Sequence, residues 1–174
     1  MKKYLTLAYA KRLFLNLGLL MGLLIAAELF QSRSLKSGEL PRELVNMPIM
    51  TLSGKAQNIL FGVDSVVLIY AFAPWCKVCS LSVGTLNAIS EDYEVRPLGL
   101  SYGSVEELRQ FRSSEGLNLP VYYDNRTDYG EMLGIEAFPS YFIVNKEGEI
   151  LYTWVGLSSE FGLRFKLIIS RLLG

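Results

Sequence analysis

Apolar and polar positions change their spacing several times along the chain. Residues 13–30 are apolar except for Asn16 and Glu28, whereas residues 31–48 are mixed polar and charged, with Gly38 and Pro41 interrupting any regular element. Met50, Thr51 and Leu52 read as a short first strand before a Ser53-Gly54 turn. Val66 to Tyr70 form a β-branched and aromatic run that Pro74 stops, about the length of a buried strand. Val78, Leu81, Leu86 and Ile89 then recur near helical spacing and predict a helix from Lys77 to Ile89. Residues 93–101 alternate loosely as a second strand, and Ser104 with Glu107 makes a capping-box pattern ahead of Val105, Leu108 and Phe111, so a helix is expected to about Arg112. A short extended piece at 119–124 and a short helix at 127–133 follow. Residues 140–144 and 149–155 flank Asn145-Lys146-Glu147-Gly148, a hairpin signal in which glycine supplies the positive φ. Phe161, Phe165, Ile168 and Leu172 lie at helical intervals, and this stripe is expected to face the core. Strands alternating with helices predict a parallel sheet covered on both faces, hence an α/β domain.

Charge changes the reading of the N-terminus. Lys2, Lys3, Lys11 and Arg12 precede the apolar run, which is about the length of a short membrane span, so the positive-inside rule places the N-terminus in the cytoplasm and the domain outside. A cleaved signal peptide is the rival reading, with Ala26-Ala27 as small residues for processing. Against it stand the long basic region, the length of the run and Ile25 at the upstream small-residue position. The expected organisation is a basic N-terminus at 1–12, a transmembrane signal anchor at 13–30, a linker at 31–47 and one domain at 48–174. Seventeen basic and seventeen acidic residues balance to a formal charge of zero, and no basic tail or patch calls for nucleic acid.

The chemistry lies in the only two cysteines, Cys76 and Cys79, placed where the strand hands over to the helix. Free backbone N–H groups at a helix start favour a thiolate, the form of cysteine that attacks disulfides. With no histidine and no third cysteine, one subunit cannot assemble a four-ligand zinc site. A static structural disulfide across so short a loop does little to restrict the unfolded chain. Two readings remain, a redox pair and a Cu(I) site made by the two soft thiolates. No cofactor or other metal is called for. Lys77 puts a positive charge beside the thiolates and is expected to make the pair more oxidising.

The segment Tyr70-Ala71-Phe72-Ala73-Pro74-Trp75-Cys76-Lys77-Val78-Cys79 resembles the active-site signature of thioredoxin-fold proteins. Gly134 to Ile150 resembles the segment in which that fold carries its cis-proline and two antiparallel strands. The whole chain is most similar to the membrane-anchored TlpA/ResA-like thiol:disulfide oxidoreductases, and residues 156–164 look closest to the type associated with bacterial copper-sensitivity suppression. The resemblance implies a thioredoxin-like fold with a central mixed β-sheet flanked by helices, behind one transmembrane helix. It implies Cys76 as the attacking thiolate and Cys79 as the resolving one, with Trp75, Phe138 and Pro139 binding substrate and a cis Phe138–Pro139 bond. Protein thiols or disulfides would be the substrates and a membrane protein the redox partner, with the domain on the periplasmic side of a bacterial inner membrane. The chain departs from the pattern in two places. Many relatives have a glutamate three residues after the second cysteine and a proline two further on, where this chain has Ser82 and Gly84, and soluble thioredoxins have a buried aspartate where it has Tyr70. The proton acceptors of a dedicated reductase are therefore missing, leaving Glu136 or water. Cu(I) sequestration by the same two thiolates is the alternative function, and a non-catalytic scaffold a third.

Overall fold

The computed structural model describes residues 11–23, 35, 37–124 and 128–173. Residues 11–23 form a helix, α1, whose leucines are exposed. Among the described residues no helix is long and apolar enough to cross a membrane, and the remainder of the expected span, residues 24–30, lies outside them.

The central element is β4, Val66–Phe72, in which all seven residues are buried. It pairs in parallel with β5, Glu94–Gly99, and antiparallel with β7, Ser140–Asn145. A continuous apolar run is what a strand covered on both faces requires. Beyond β7 lie β8, Glu149–Val155, and β1, Gly38–Glu39. Beyond β5 lie β6, Tyr122–Tyr123, then β2, Ile49–Thr51, and β3, Ala56–Gln57. The order among the described residues is β1-β8-β7-β4-β5-β6-β2-β3, a mixed sheet. Pro97 sits inside β5 without disturbing the ladder, because β6 pairs only with Leu98 and Gly99.

The two-residue period of β4 divides the core. Val66, Leu68, Tyr70 and Phe72 face one layer, which also holds Cys76, Cys79 and the inner residues of α4, Val83–Ile89, of α5, Val105–Ser114, and of α7, Glu160–Leu173. Val67, Ile69 and Ala71 face the other, with Leu44 of α2, Arg42–Asn46, and Tyr129 of α6, Asp128–Met132.

Three expectations need correction. The linker expected at 31–47 is in part a piece of the domain: β1 pairs with β8, and Leu35, Leu40 and Leu44 are buried in the second layer. Gly38, at φ +87, opens the edge strand, and Pro41 is the N-cap of α2; neither simply breaks the chain. The helix expected over 77–89 is two helices, α3 at Lys77–Ser80 and then α4. At the junction the Ser82 amide bonds the Cys79 carbonyl only three residues back. Finally, α7 turns the other face inward. Leu163, Leu167 and Ser170 are fully buried, while Phe161 is 81% and Leu172 80% exposed, with Phe165 and Ile168 also outward.

Candidate active site

Strand β4 delivers the chain to the site. After Ala73 and Pro74, the Cys76 amide donates to the Ala73 carbonyl at 3.0 Å, turning the backbone out of the sheet. Cys76 is the N-cap of α3, in an extended conformation, and the Cys79 amide donates to both its Sγ, at 3.2 Å, and its carbonyl, at 3.0 Å. The two sulfurs are joined as a disulfide, with the Cα atoms 5.3 Å apart. Cys76 keeps 7% of its surface exposed and Cys79 none. An amide N–H aimed at the Cys76 sulfur stabilises a thiolate there once the bond is opened, and of the two cysteines only Cys76 has any exposed surface.

Trp75 projects beside the pair, 64% exposed, but it is not loose. Its Nε1 donates to the Ser101 carbonyl at 2.8 Å, and its ring meets Phe138 edge-on at 5.8 Å. The Phe138–Pro139 peptide bond is cis. Ser140 lies opposite Ala71, so Pro139 stands level with Phe72 at the end of β4, where the chain leaves for Cys76. Phe138 precedes the sheet ladder, which the Pro139 carbonyl joins through the Gly156 amide at 2.9 Å. Lys77 is exposed on the first turn of α3.

Beside these residues opens a cavity of about 690 Å³. Trp75 and Phe138 wall one side, Tyr102 and Ile135 contribute further apolar surface, and Glu131 and Glu136 bring carboxylates. Its volume falls in the range of small-ligand and peptide-side-chain pockets. Tyr102 donates to the Asp124 carbonyl at 2.9 Å, and burial, aided by the Asp124 charge, pushes its hydroxyl up to about 12. Of the residues singled out from the sequence, Trp75, Phe138 and Glu136 line this cavity, and Ser101, Tyr102 and Glu131, which were not singled out, line it too. A signal was available, since Ser101 and Tyr102 follow the carboxyl end of a parallel strand, where α/β sheets place their ligand sites.

Under the pair lies a layer of buried hydroxyls. Tyr70 of β4 donates to the Cys79 carbonyl at 3.0 Å, and the hydroxyls of Tyr141 and Ser82 share a hydrogen bond of 2.9 Å. The two tyrosine rings are register partners on adjacent strands, 5.0 Å apart. Burial raises the Tyr70 hydroxyl far above its ordinary value and pushes that of Tyr141 up to about 12, so both are neutral donors in any physiological medium. No group of three or more histidine, cysteine, aspartate or glutamate residues that would hold a metal ion occurs among the described residues.

Comparison with known proteins points the same way. Residues 55–153 match the AhpC/TSA family. The chain is 22% identical over 140 residues to a thioredoxin-like protein of Haemophilus influenzae, covering 77% of this chain and 81% of that one. It is 31% identical over 106 residues to the thiol:disulfide interchange protein DsbE of the same organism, covering 59% and 58%. A solved structure assigned as DsbE from Chlorobium tepidum superposes with a TM-score of 0.67 at 18% identity, covering 78% of this chain and 98% of that one.

Proposed function

Because this chain belongs to the AhpC/TSA family and is a thioredoxin-like thiol:disulfide oxidoreductase, we propose that it exchanges disulfides with protein thiols through Cys76 and Cys79 while tethered to the outer face of a bacterial inner membrane. The carrying observation is the asymmetry of the pair. Cys76 is reachable and receives an amide hydrogen bond at its sulfur, whereas Cys79 is buried directly behind it.

In the reducing direction the Cys76 thiolate attacks a substrate disulfide, forming a mixed disulfide and releasing one substrate thiolate, which takes a proton. The Cys79 thiolate then attacks the Cys76 sulfur and releases the second substrate thiolate. The substrate gains two electrons and the pair loses them. In the oxidising direction the same steps run backwards. Phe138 and Trp75 border the approach, and Phe138 precedes the sheet ladder, where an extended substrate would meet its backbone.

The tether rests on residues 13–30 and the positive charges before them. Docking of Leu35 and β1 onto the domain shortens the free linker. Only residues 31–34 separate the apolar run from Leu35, a reach of about 17 Å at most, so the domain would stand close to the bilayer. A membrane redox partner would meet it there.

The test is exchange with a protein disulfide, paired with the reduction potential of Cys76–Cys79 in glutathione buffers. Activity abolished by Cys76→Ser supports the reading, with a potential near about −120 mV marking an oxidant and near about −270 mV a reductant. Unchanged exchange in Cys76→Ser, or stoichiometric Cu(I) retention without exchange, would overturn it.

A further inference from the structure

The two positions where the resemblance leads one to expect carboxylates, 70 and 82, carry hydroxyls instead: that of Tyr70 donates to the Cys79 carbonyl, and that of Ser82, just past the redox loop, accepts from Tyr141. We propose that Tyr70, Ser82 and Tyr141 are positioning residues for the resolving cysteine, a carboxyl-free support that holds the sulfur of Cys79 in line with that of Cys76. The inference rests on the exchange function proposed above and assigns a device within it.

The support is built around the break between α3 and α4. The Cys79 carbonyl accepts from the Ser82 amide, three residues on, and from the Tyr70 hydroxyl. One bond comes from the turn itself and the other from the floor of the sheet. Ser82, on the far side of the break, is 2% exposed and is held from the neighbouring strand by Tyr141. Each end of the turn is thus fastened to a different central strand. The two strands are register partners at these positions, with rings 5.0 Å apart and both side chains fully buried. Trp154 of β8 stacks on Tyr141 at 4.7 Å and Phe72 on Tyr70 at 5.8 Å, so neither ring has room to swing.

This matters when the covalent bond between the two cysteines is open. In the mixed disulfide Cys76 is bonded to substrate, and nothing covalent keeps Cys79 behind it. Attack requires the Cys79 sulfur to approach along the axis of the Cys76–substrate bond, and the rate falls steeply when that alignment is lost. The amide of Cys79 already bonds the Cys76 sulfur, so fixing its carbonyl from below sets the orientation of the whole residue. Since the supporting groups are neutral hydroxyls, they fix geometry without adding charge beside the buried thiol.

The test separates the two chemical steps in the full-length reduced protein. A small disulfide such as glutathione disulfide is added, the reaction is quenched with acid, and the Cys76 mixed disulfide is counted by mass spectrometry over time. Tyr70→Phe and Ser82→Ala are expected to leave its formation unchanged and to slow its disappearance about tenfold, the worth of one such hydrogen bond, so that the adduct accumulates. Ser82→Thr, which retains the hydroxyl, should resolve at the parent rate. Resolution at the parent rate in both Tyr70→Phe and Ser82→Ala would overturn the inference. So would equal slowing of both steps together with lowered thermal stability, the mark of a merely structural role. A parent protein that neither forms the adduct nor is oxidised to the Cys76–Cys79 disulfide by glutathione disulfide would instead contradict the exchange function itself.

Discussion

The indole Nε1 of Trp75 donates to the carbonyl of Ser101 at 2.8 Å, tying the residue before the first cysteine to the end of β5. Ser101 accepts this role at a positive φ of +49, unlike every other non-glycine residue described. Residues with a Cβ enter that region only when their surroundings hold them there. The bond fixes an otherwise exposed ring as one wall of the cavity. Trp75→Phe keeps an aromatic wall but removes the tie, and is expected to raise KM for a peptide disulfide several-fold while changing stability by less than about 0.5 kcal/mol. Steady-state exchange kinetics beside a urea titration check it; an unchanged KM would mean that the ring takes no part in binding.

The docked segment before β2 gives a second prediction. Leu44 is completely buried in the layer formed with Ile69, Tyr129 and Phe142, and Tyr129 donates to its carbonyl at 3.1 Å. Leu44→Ala should therefore cost about 2–5 kcal/mol, as for a core leucine, whereas a residue in a free tether would cost nothing measurable. The midpoint of urea unfolding decides between them.

The orientation of α7 is tested by a pair of substitutions two residues apart. Leu167→Ala is expected to destabilise by about 2–4 kcal/mol and Phe165→Ser by less than about 0.5 kcal/mol, since only Leu167 is buried. A core-facing Phe165 would reverse the order. Thermal melts of the two variants suffice.

Alkaline pH should destabilise the fold through its buried tyrosines. Burial pushes the hydroxyl of Tyr141 up to about 12, and raises those of Tyr70 and Tyr129 as well. Below about pH 10, where free tyrosine keeps its proton, the contribution to stability is complete. Between about pH 10 and 12 the unfolded chain releases protons that the folded chain retains, so stability falls as pH rises. For Tyr141 the slope is about 1.4 kcal/mol per unit. Urea midpoints measured from pH 9 to 11.5 should fall progressively, and Tyr141→Phe should flatten the slope.

The sequence carried the centre of the molecule and lost its margins for physical reasons. Strand β4 and the cysteines at its end were legible because seven consecutive buried residues leave no polar position to confuse the period. The hairpin of β7 and β8 was legible through Gly148, which sits at φ +91. On α7, two stripes share helical spacing, and the buried one is made of Leu163, Leu167 and a serine, Ser170, whose hydroxyl bonds back to the Lys166 carbonyl at 2.8 Å. The aromatic stripe was the stronger signal by hydrophobicity alone, and packing against α4 and the sheet chose the other. The docking of residues 38–46 depends on β8, more than a hundred positions away, and no local pattern reports such a pairing. At the site, the cysteines and Phe138-Pro139 were readable as local motifs. The bonds from Tyr70 to Cys79 and from Tyr141 to Ser82 arise only when β4, β7 and the redox loop are brought together.

The most direct test of the account is to trap the mixed disulfide. Cys79→Ser, reduced and mixed with a protein disulfide, is predicted to accumulate a covalent adduct through Cys76, because the buried partner that would release it is gone. Cys76→Ser should form none, since Cys79 has no exposed surface. An adduct through Cys79 in Cys76→Ser, or none in Cys79→Ser despite an active parent protein, would contradict the assignment of Cys76 as the attacking sulfur.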